Sequence, residues 1–303
     1  MDERLKKFVQ LVDSGSYTQA SRQLHISQPA LSVAIGKLER ELHASLLVHG
    51  VRPLTLTPAG RLVYNAGKEL LVRANNLRVV LAELEHRELA ISVGMNDSVA
   101  GAFFGSAESV EELERQASVS LVVDNSRNLL RSVETGTLDL AFVVGQRNYD
   151  AALEVIRRAT EPLVVVCHAG QRTESAQAVR AGRLPRFISY DRASNSHRWI
   201  TESLSLRGIV PEATFYSTSP EVMLRLVLLQ KGVAVLPWLL VRDYVAAGEL
   251  VLVGHPLPLF IGRPIHAVKR RDSVLAGPLL RTTQHVATLL ASLYADASRR
   301  SGA

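Results

Sequence analysis

The sequence has 303 residues, of which 47% are hydrophobic and 21% are charged, so it is long enough for two or three folded units and excludes a disordered chain. Its one cysteine, Cys167, excludes an internal disulfide, and no apolar run reaches about 18 residues, so we expect a cytoplasmic protein with no export signal and no membrane span. The formal net charge of +6 mildly favours polyanionic partners.

The first 57 residues have the pattern of a helix-turn-helix. After a first amphipathic helix, Ser16 and Gln19 form a capping box that predicts a short second helix stopping near His25. Ser27 can then cap a third helix, with Pro29 in its first turn, where a missing N–H costs nothing. Two helices joined by a tight turn, the second opening with small polar residues, are typical of a DNA-binding unit.

The start of this third helix carries side chains suited to base edges. A helix N-terminus fits the major groove, where Gln28 can pair with adenine, Ser32 can bond a base or a phosphate, and Val33 can touch a thymine methyl. Lys37 and Arg52 can contact phosphates, which position a protein without specifying sequence. The predicted DNA-binding residues are Ser27, Gln28, Pro29, Ser32, Val33, Lys37 and Arg52.

A resemblance to a known family covers the same region. The stretch A-S-R-Q-L-H-I-S-Q-P-A-L-S-V-A-I-G-K-L-E at 20–39 resembles the LysR-type transcriptional regulators, as does L-x-x-H-x-x-R-P-L-x-L-T-P-A-G at 46–60. The resemblance implies a bacterial transcription regulator with a winged helix-turn-helix in residues 1–57 that binds double-stranded DNA. Residues 52–57 then predict the hairpin of the wing. The alternative is a helical bundle that makes an interaction without DNA.

Residues 58–88 predict a long helix, with Thr57 as its cap and Pro58 in its first turn. Apolar residues alternate at spacings of four and three, at Val63, Gly67, Leu70, Ala74, Leu77, Leu81 and Leu84. This period predicts a coiled-coil seam on a rod of roughly 45 Å, which cannot bury its stripe alone. We therefore expect a homodimer through residues 58–88, and the resemblance implies that it assembles further into a homotetramer. The alternative is packing against the chain's own C-terminal domain.

From residue 89 onward, strands and helices alternate. We predict strands at 90–94, 118–124, 138–144, 186–190, 213–216, 233–236 and 265–268, one more starting at 162, and helices at 109–116, 126–135, 196–207, 220–230 and 278–293. Such alternation predicts an α/β fold with a parallel sheet covered by helices. The patterns at 136–141 and 232–237 resemble the LysR-type effector domain. This implies two lobes related to periplasmic binding proteins within 89–303, with lobe I at 90–162 and 268–303 and lobe II at 163–267.

Polar residues follow the predicted strands, where a ligand between two lobes is expected. Free N–H groups at helix N-termini suit an anion there. The predicted effector-binding residues, at positions that match the family's effector loops, are Asn96, Asp97, Ser98, Asn125, Ser126, Gln146, Tyr190, Thr218 and Ser219. Each of them could instead be a helix cap or a turn residue. We expect a small, anionic co-inducer of open identity and no other cofactor; nearby in sequence, Arg127, Arg147, Arg192 and His197 could pair with a carboxylate.

Signatures of enzymes are absent from the sequence. It contains no nucleophile elbow, dinucleotide-binding glycine motif, Walker loop or zinc-protease helix. Cys167 and His168 are neighbours on a strand and point to opposite faces, and Cys167 continues an apolar run, so we predict a buried thiol. Since the histidines have no metal-ligand spacing, we predict no catalytic and no metal site. An enzyme built on the α/β portion is a remote alternative. The nearer alternative is a DNA-binding protein whose second domain binds a protein partner, or no ligand.

Overall fold

The computed structural model describes residues 2–48, 53–84, 89–105, 110–111, 117–254, 259–274 and 277–301. Its helices are α1 (Asp2–Ser14), α2 (Tyr17–Gln23), α3 (Gln28–Glu41), α4 (Pro58–Leu84), α5 (Asp97–Phe104), α6 (Ser126–Glu134), α7 (Arg172–Arg180), α8 (Asn195–Ser205), α9 (Pro220–Leu228), α10 (Trp238–Ala246) and α11 (Gly277–Ser301). Its strands are β1 (Leu89–Met95), β2 (Ala117–Val123), β3 (Leu140–Val144), β4 (Leu153–His168), β5 (Arg183–Tyr190), β6 (Val210–Ser217), β7 (Val233–Pro237), β8 (Leu250–Leu252) and β9 (Phe260–Arg270). None of the helices within these ranges is long and apolar enough to cross a bilayer.

Helices α1–α3 and the wing strands form a unit that we call the reading head. Phe8, Leu31 and Leu38 lie at its centre without solvent exposure. The wing closes through an antiparallel bridge between Leu47 and Leu56. The tip of the wing, at 49–52, lies outside the described residues.

Capping of the reading-head helices agrees with the sequence in one case and departs from it in another. The Ser27 side chain accepts a hydrogen bond from the Ala30 N–H, as predicted for the start of α3. Ser16 occupies the N-cap of α2, but its side chain makes no capping hydrogen bond, so the predicted capping box is wrong. His25 and His43 are exposed, with φ of 52° and 49°, and serve as turn residues.

Helix α4 divides its apolar residues between two surfaces. Val72 and Val79 are buried, and Val79 belongs to the core of the α/β domain. Gly67 packs on α1, since a Cβ there would lie 2.9 Å from Leu5 Cδ1. The predicted seam residues Leu70, Leu77 and Leu81 are exposed, the Leu77 side chain by 60%. The two expectations for this helix thus apply to different faces of it. One face packs on the chain's own domain, and the other face is exposed.

Hydrogen bonds fasten α4 to the α/β domain. The Asp139 carboxylate accepts from the Asn75 side chain and from the Ser92 N–H at 2.7 Å. Gly136 has φ of 72°, and a Cβ there would come within 2.8 Å of Val72, so glycine is needed for this close approach. The 136–141 pattern therefore holds the long helix against the sheet.

The described strands of the α/β domain form a nine-stranded sheet in the order β2-β1-β3-β9-β4-β7-β5-β6, with β8 beside β4. β1 pairs in parallel with β2 and β3, and β5 pairs in parallel with β6 and β7. β4 and β9 are antiparallel to each other and to their other neighbours, so the sheet is mixed rather than wholly parallel as predicted. Separate apolar cores lie around β1–β3 and around β5–β7, giving two lobes.

Two long strands run through both lobes. β4 has 16 residues, and its pairing with β9 includes Pro162 opposite Gly262. Residues 265–268 of β9 already pair with β3 in the first lobe. The chain therefore returns to the first lobe close to Gly262, a few residues before 268, where lobe I was predicted to resume.

Candidate nucleic-acid interface and inter-lobe cavity

Helix α3 presents one polar face to solvent. Leu31, Ile35 and Leu38 are buried on the opposite side. The predicted residues Ser27, Gln28, Pro29, Ser32, Val33 and Lys37 are all exposed, and Arg52 lies outside the described residues. The reading head therefore leaves the N-terminal turns of α3 free to enter a groove.

A neighbouring helix orients the Gln28 side chain. Its amide Nε2 donates to the Thr18 hydroxyl of α2 at 3.0 Å. An amide NH₂ has two hydrogens, so this bond leaves one donor and the amide oxygen for the two atoms of an adenine edge. No pattern in the sequence indicates this role of Thr18.

The wing is held to α3 by one carboxylate. Glu39 accepts from the Leu46 N–H at 2.7 Å and from the Leu47 N–H at 3.3 Å. These bonds fix the first wing strand relative to α3. The wing and α3, the two elements expected to contact DNA, therefore move together.

A cavity of about 750 Å³ opens between the two lobes. The N-termini of α5 and α6 face it from the first lobe, and those of α8 and α9 face it from the second. All of the predicted effector residues line it except Ser219, which caps α9 beside it. Strands far apart in sequence therefore bring their polar ends to one place.

Several of these side chains also have a structural role. The side-chain oxygens of Asn96, Asn125 and Ser219 each accept a backbone N–H as helix caps. The Ser126 hydroxyl accepts from the Val144 N–H at 3.0 Å. The helix-cap alternative is thus correct for these oxygens. Asn96, Asn125 and Ser126 therefore line the cavity and also stabilise the helix starts and the strand that form its wall.

Charges of both signs border the cavity. Three arginines line it, Arg127, Arg131 and Arg263, together with Asp97, Asp124, Glu134 and Asp191. Burial, and repulsion from Glu221 and Asp124, raise the pKa of Asp97. The walls can therefore meet both an anionic group and a donor group of a ligand.

Sequence profiles of known families match the chain almost end to end. The LysR substrate binding domain matches residues 85–290, and the bacterial regulatory helix-turn-helix protein of the lysR family matches residues 3–61. The chain belongs to the LysR family of transcription regulators. It is a DNA-binding regulator with a substrate-binding domain, not an enzyme.

Curated relatives of this LysR-type regulator match it in two ways. The HTH-type transcriptional activator AaeR of Escherichia coli (strain K12) is 27% identical over 277 residues, which cover 88% of this chain and 87% of that protein. The nitrogen assimilation regulatory protein nac of the same organism is 42% identical over only 88 residues, 29% of this chain and 26% of that protein.

Solved full-length structures share the fold. An OxyR variant from Pseudomonas aeruginosa superposes with a TM-score of 0.61 at 20% identity, covering 96% of this chain and 94% of that one. LysG from Corynebacterium glutamicum with bound effector Arg superposes with a TM-score of 0.57 at 18% identity, covering 96% and 98%. At this level of identity, the likeness concerns the fold alone.

Some candidate residues of this LysR-type regulator lie away from the cavity. Arg147 pairs with Glu202 at 3.7 Å on the surface, and Arg192 stacks on Tyr216 with its guanidinium carbon 4.6 Å from the ring centroid. His197 bonds to Ser189 at 2.8 Å. Of the four nearby basic residues, only Arg127 lines the cavity, and its guanidinium also donates to the Ala193 carbonyl across the lobes at 3.3 Å.

Cys167 is a core residue, as predicted. Its side chain is fully buried, and burial raises the pKa of the thiol. Across the described ranges, no group of three or more histidine, cysteine or acidic side chains is arranged to hold a metal ion.

Proposed function

We propose that this LysR-type regulator binds double-stranded DNA as a homodimer, assembled further into a tetramer, and that a small molecule bound between the lobes changes its DNA binding. A chain with these activities acts in the cytoplasm, where its DNA is. The observation that carries the proposal is one helix, α6, which borders the cavity and contacts the reading head through Arg131.

Dimerisation through residues 58–88 is supported by the open face of α4. Leu70, Leu77 and Leu81 lie on this face without a partner in the described chain. A row of exposed leucines on one helix is best covered by the same row of a second copy. Val63 and Gly67 pack on α1, so we confine the proposed contact to the C-terminal part of α4.

The effector class follows from the groups around the cavity. Four helix N-termini, together with Arg127 and Arg131, favour an anionic group, such as a carboxylate. The acidic side chains favour a ligand that also carries hydrogen-bond donors, such as hydroxyl or ammonium groups. We therefore propose a small polar metabolite with at least one anionic group.

Helix α6 supplies a physical connection from the cavity to the DNA. Its nine residues span roughly 14 Å as a rigid rod. Asn125 and Ser126 line the cavity at the start of α6. Arg131, nearer its end, also lines the cavity and donates to the Asp13 carbonyl oxygen of α1 at 2.8 Å. A ligand that shifts α6 relative to the second lobe would thereby shift the reading head.

Footprinting of the full chain on DNA selected from random duplexes tests this proposal. We expect protection of two half-sites, whose spacing or extent changes when a metabolite that binds the chain is added. A ligand acts only through its different affinities for the two arrangements. A footprint that ignores every metabolite shown by calorimetry to bind would overturn the sensor function and leave DNA binding intact.

A further inference from the structure

Arg263 is a buried cation at the point where the two lobes meet. It lies on β9 next to the crossing at Gly262, lines the cavity, and is only 2% exposed. Its guanidinium pairs with the buried Glu161 carboxylate, with Nε at 2.9 Å from Oε2 and Nη2 also in contact. Burial opposes its charge, but Glu161 on balance raises the pKa of Arg263, so the ion pair persists.

The same guanidinium reaches one serine of each lobe. Nη2 donates to the Ser98 hydroxyl of α5 at 2.7 Å, and Nη1 donates to the Ser196 hydroxyl of α8 at 2.8 Å. Both serines line the cavity. Arginine has donors only, so each serine oxygen must accept, and each hydroxyl hydrogen is left to point elsewhere.

Those hydrogens have no good acceptor in the described chain. Ser98 has only a 3.4 Å contact with the Asn96 side-chain oxygen, which already accepts from the Val99 N–H. A third hydroxyl belongs to Tyr190, a residue that lines the same cavity and is 6% exposed. Its neighbour Arg263 offers it donors only, and no described group accepts its hydrogen. Three hydroxyl donors, two of them oriented by Arg263, thus lie in the cavity wall without an acceptor.

Building on the proposed function, we infer that Arg263 is the specificity-determining residue of the cavity: it fixes Ser98 and Ser196 as donors and so selects ligands that present an oxyanion, a carboxylate or a phosphate, over their neutral counterparts. Glu161 neutralises Arg263, so selection comes from the directed hydroxyls rather than from bare charge. A carboxylate accepts from all of them. A primary amide in the same place would turn its NH₂ group toward some of these hydroxyl donors. The amide NH₂ and those hydroxyls would then both lack an acceptor, and a buried site rejects a ligand that leaves its polar groups unpaired.

Matched pairs of small molecules test this inference on the full chain. We would measure binding by calorimetry for acetate and acetamide, benzoate and benzamide, and succinate and succinamide. Inorganic phosphate against trimethyl phosphate forms a separate arm. We expect at least one anion to bind, with its neutral counterpart at least about tenfold weaker, since hydrogen bonds to charged groups differ by that much from neutral ones. The arm that responds distinguishes a carboxylate from a phosphate.

Variants then assign the preference to Arg263. Ser98→Ala and Ser196→Ala leave the ion pair in place and should each weaken anion binding about tenfold without weakening binding of the neutral molecule. Arg263→Lys keeps the charge but cannot span Glu161 and both serines, so the anion preference should fall further. The controls are Ser205→Ala, at the exposed last residue of α8, and Arg207→Lys, at an exposed position in the turn that follows. If Arg263→Lys does not fold, the serine variants decide.

Three outcomes would overturn the inference: no anion binds, amides bind as tightly as carboxylates, or the preference survives in both serine variants. A merely structural role for Arg263 would weaken anions and neutral molecules alike and leave their ratio unchanged. If the preference holds but no footprint responds, the proposed sensor function fails and the assignment of Arg263 stands. If the footprint responds to neutral molecules only, the sensor function stands and the assignment of Arg263 fails.

Discussion

The Arg131 guanidinium donates a hydrogen bond to the Asp13 backbone carbonyl at 2.8 Å, which joins the end of α6 to the end of α1. The Asp13 carboxyl beside it accepts from the Tyr64 hydroxyl of α4 at 2.6 Å. Asp13 is only 7% exposed. The reading head, the long helix and the first lobe thus meet at Asp13, at its backbone carbonyl and its buried carboxyl.

This carboxyl makes stability depend on pH. Burial raises the pKa of Asp13 from 3.8 to about 6, although Tyr64, Thr135, Lys68 and Arg131 act against the rise. The folded chain therefore holds the proton more tightly than the unfolded chain, and stability is lost as pH rises from about 4 to about 6 and stays lost above. Asp13→Asn should stabilise the chain relative to the parent by on the order of 2–3 kcal/mol more at pH 8 than at pH 4.

Unfolding midpoints of both chains across this range provide the measurement. Asp243→Asn, at a side chain that is 89% exposed, is the matched control and should follow the parent. Parallel curves for Asp13→Asn and the parent would show that Asp13 does not titrate in this window.

DNA recognition should depend on Gln28 and on the residue that orients it. Gln28→Ala should cost about 1–3 kcal/mol on the preferred site and relax its selectivity. Thr18→Val keeps the volume but frees the amide, so it should reduce selectivity by a smaller amount in the same direction. Lys37→Ala should instead weaken binding to all sequences and flatten the salt dependence. Site selection from random duplexes measures the sequence preference of each variant. An unchanged preference in Gln28→Ala would refute the assignment of Gln28.

The oligomer should depend on the open face of α4. Leu77→Asp places two unpaired carboxylates in the proposed contact, which must lose their water when the helices pair. We expect light scattering to show a smaller species than the parent. Leu206→Asp makes the same change at a leucine that is 88% exposed outside α4 and should leave the mass unchanged. A parent-sized Leu77→Asp oligomer contradicts dimerisation through this face.

Tyr190→Phe should affect stability and ligand binding in opposite directions. Burial raises the pKa of Tyr190 to about 12, so the hydroxyl keeps its proton at neutral pH. A ligand that accepts this proton in a hydrogen bond would therefore bind more tightly. Removal of the hydroxyl should leave the free chain equally stable or more stable by about 1 kcal/mol, because a buried hydroxyl whose hydrogen has no acceptor among the described residues is removed. Binding of an anion that occupies the cavity should weaken, as calorimetry can measure. Equal affinity in both chains would show that the hydroxyl is not used.

Local patterns in the sequence account for much of this structure. The polar face of α3 was predictable because its buried leucines repeat at helical spacing, which leaves Gln28 and Ser32 exposed. Asn96, Asn125 and Tyr190 were predictable as cavity residues because each follows or ends a strand, and such ends meet at one edge.

Other features depend on contacts between distant residues. Arg263 lies within a strand and carries no cap or turn signal, and its partner Glu161 is distant in sequence, so only the folded sheet brings them together. Helix α10 was missed because residues 238–246 are mostly apolar and show little contrast between faces. Val72 and Val79 lie outside the heptad positions, and their burial follows from where β1 and β3 place the first lobe.

One thermodynamic cycle measures the coupling between the cavity and the DNA most directly. DNA affinity is determined with and without a saturating anion that binds the cavity, and anion affinity with and without DNA. The two ratios must agree by linkage. We predict a ratio of roughly 5–150 for the parent, and a ratio closer to one for Tyr64→Phe, which loosens the contact at Asp13 without touching the cavity. A ratio of one in the parent would contradict the account.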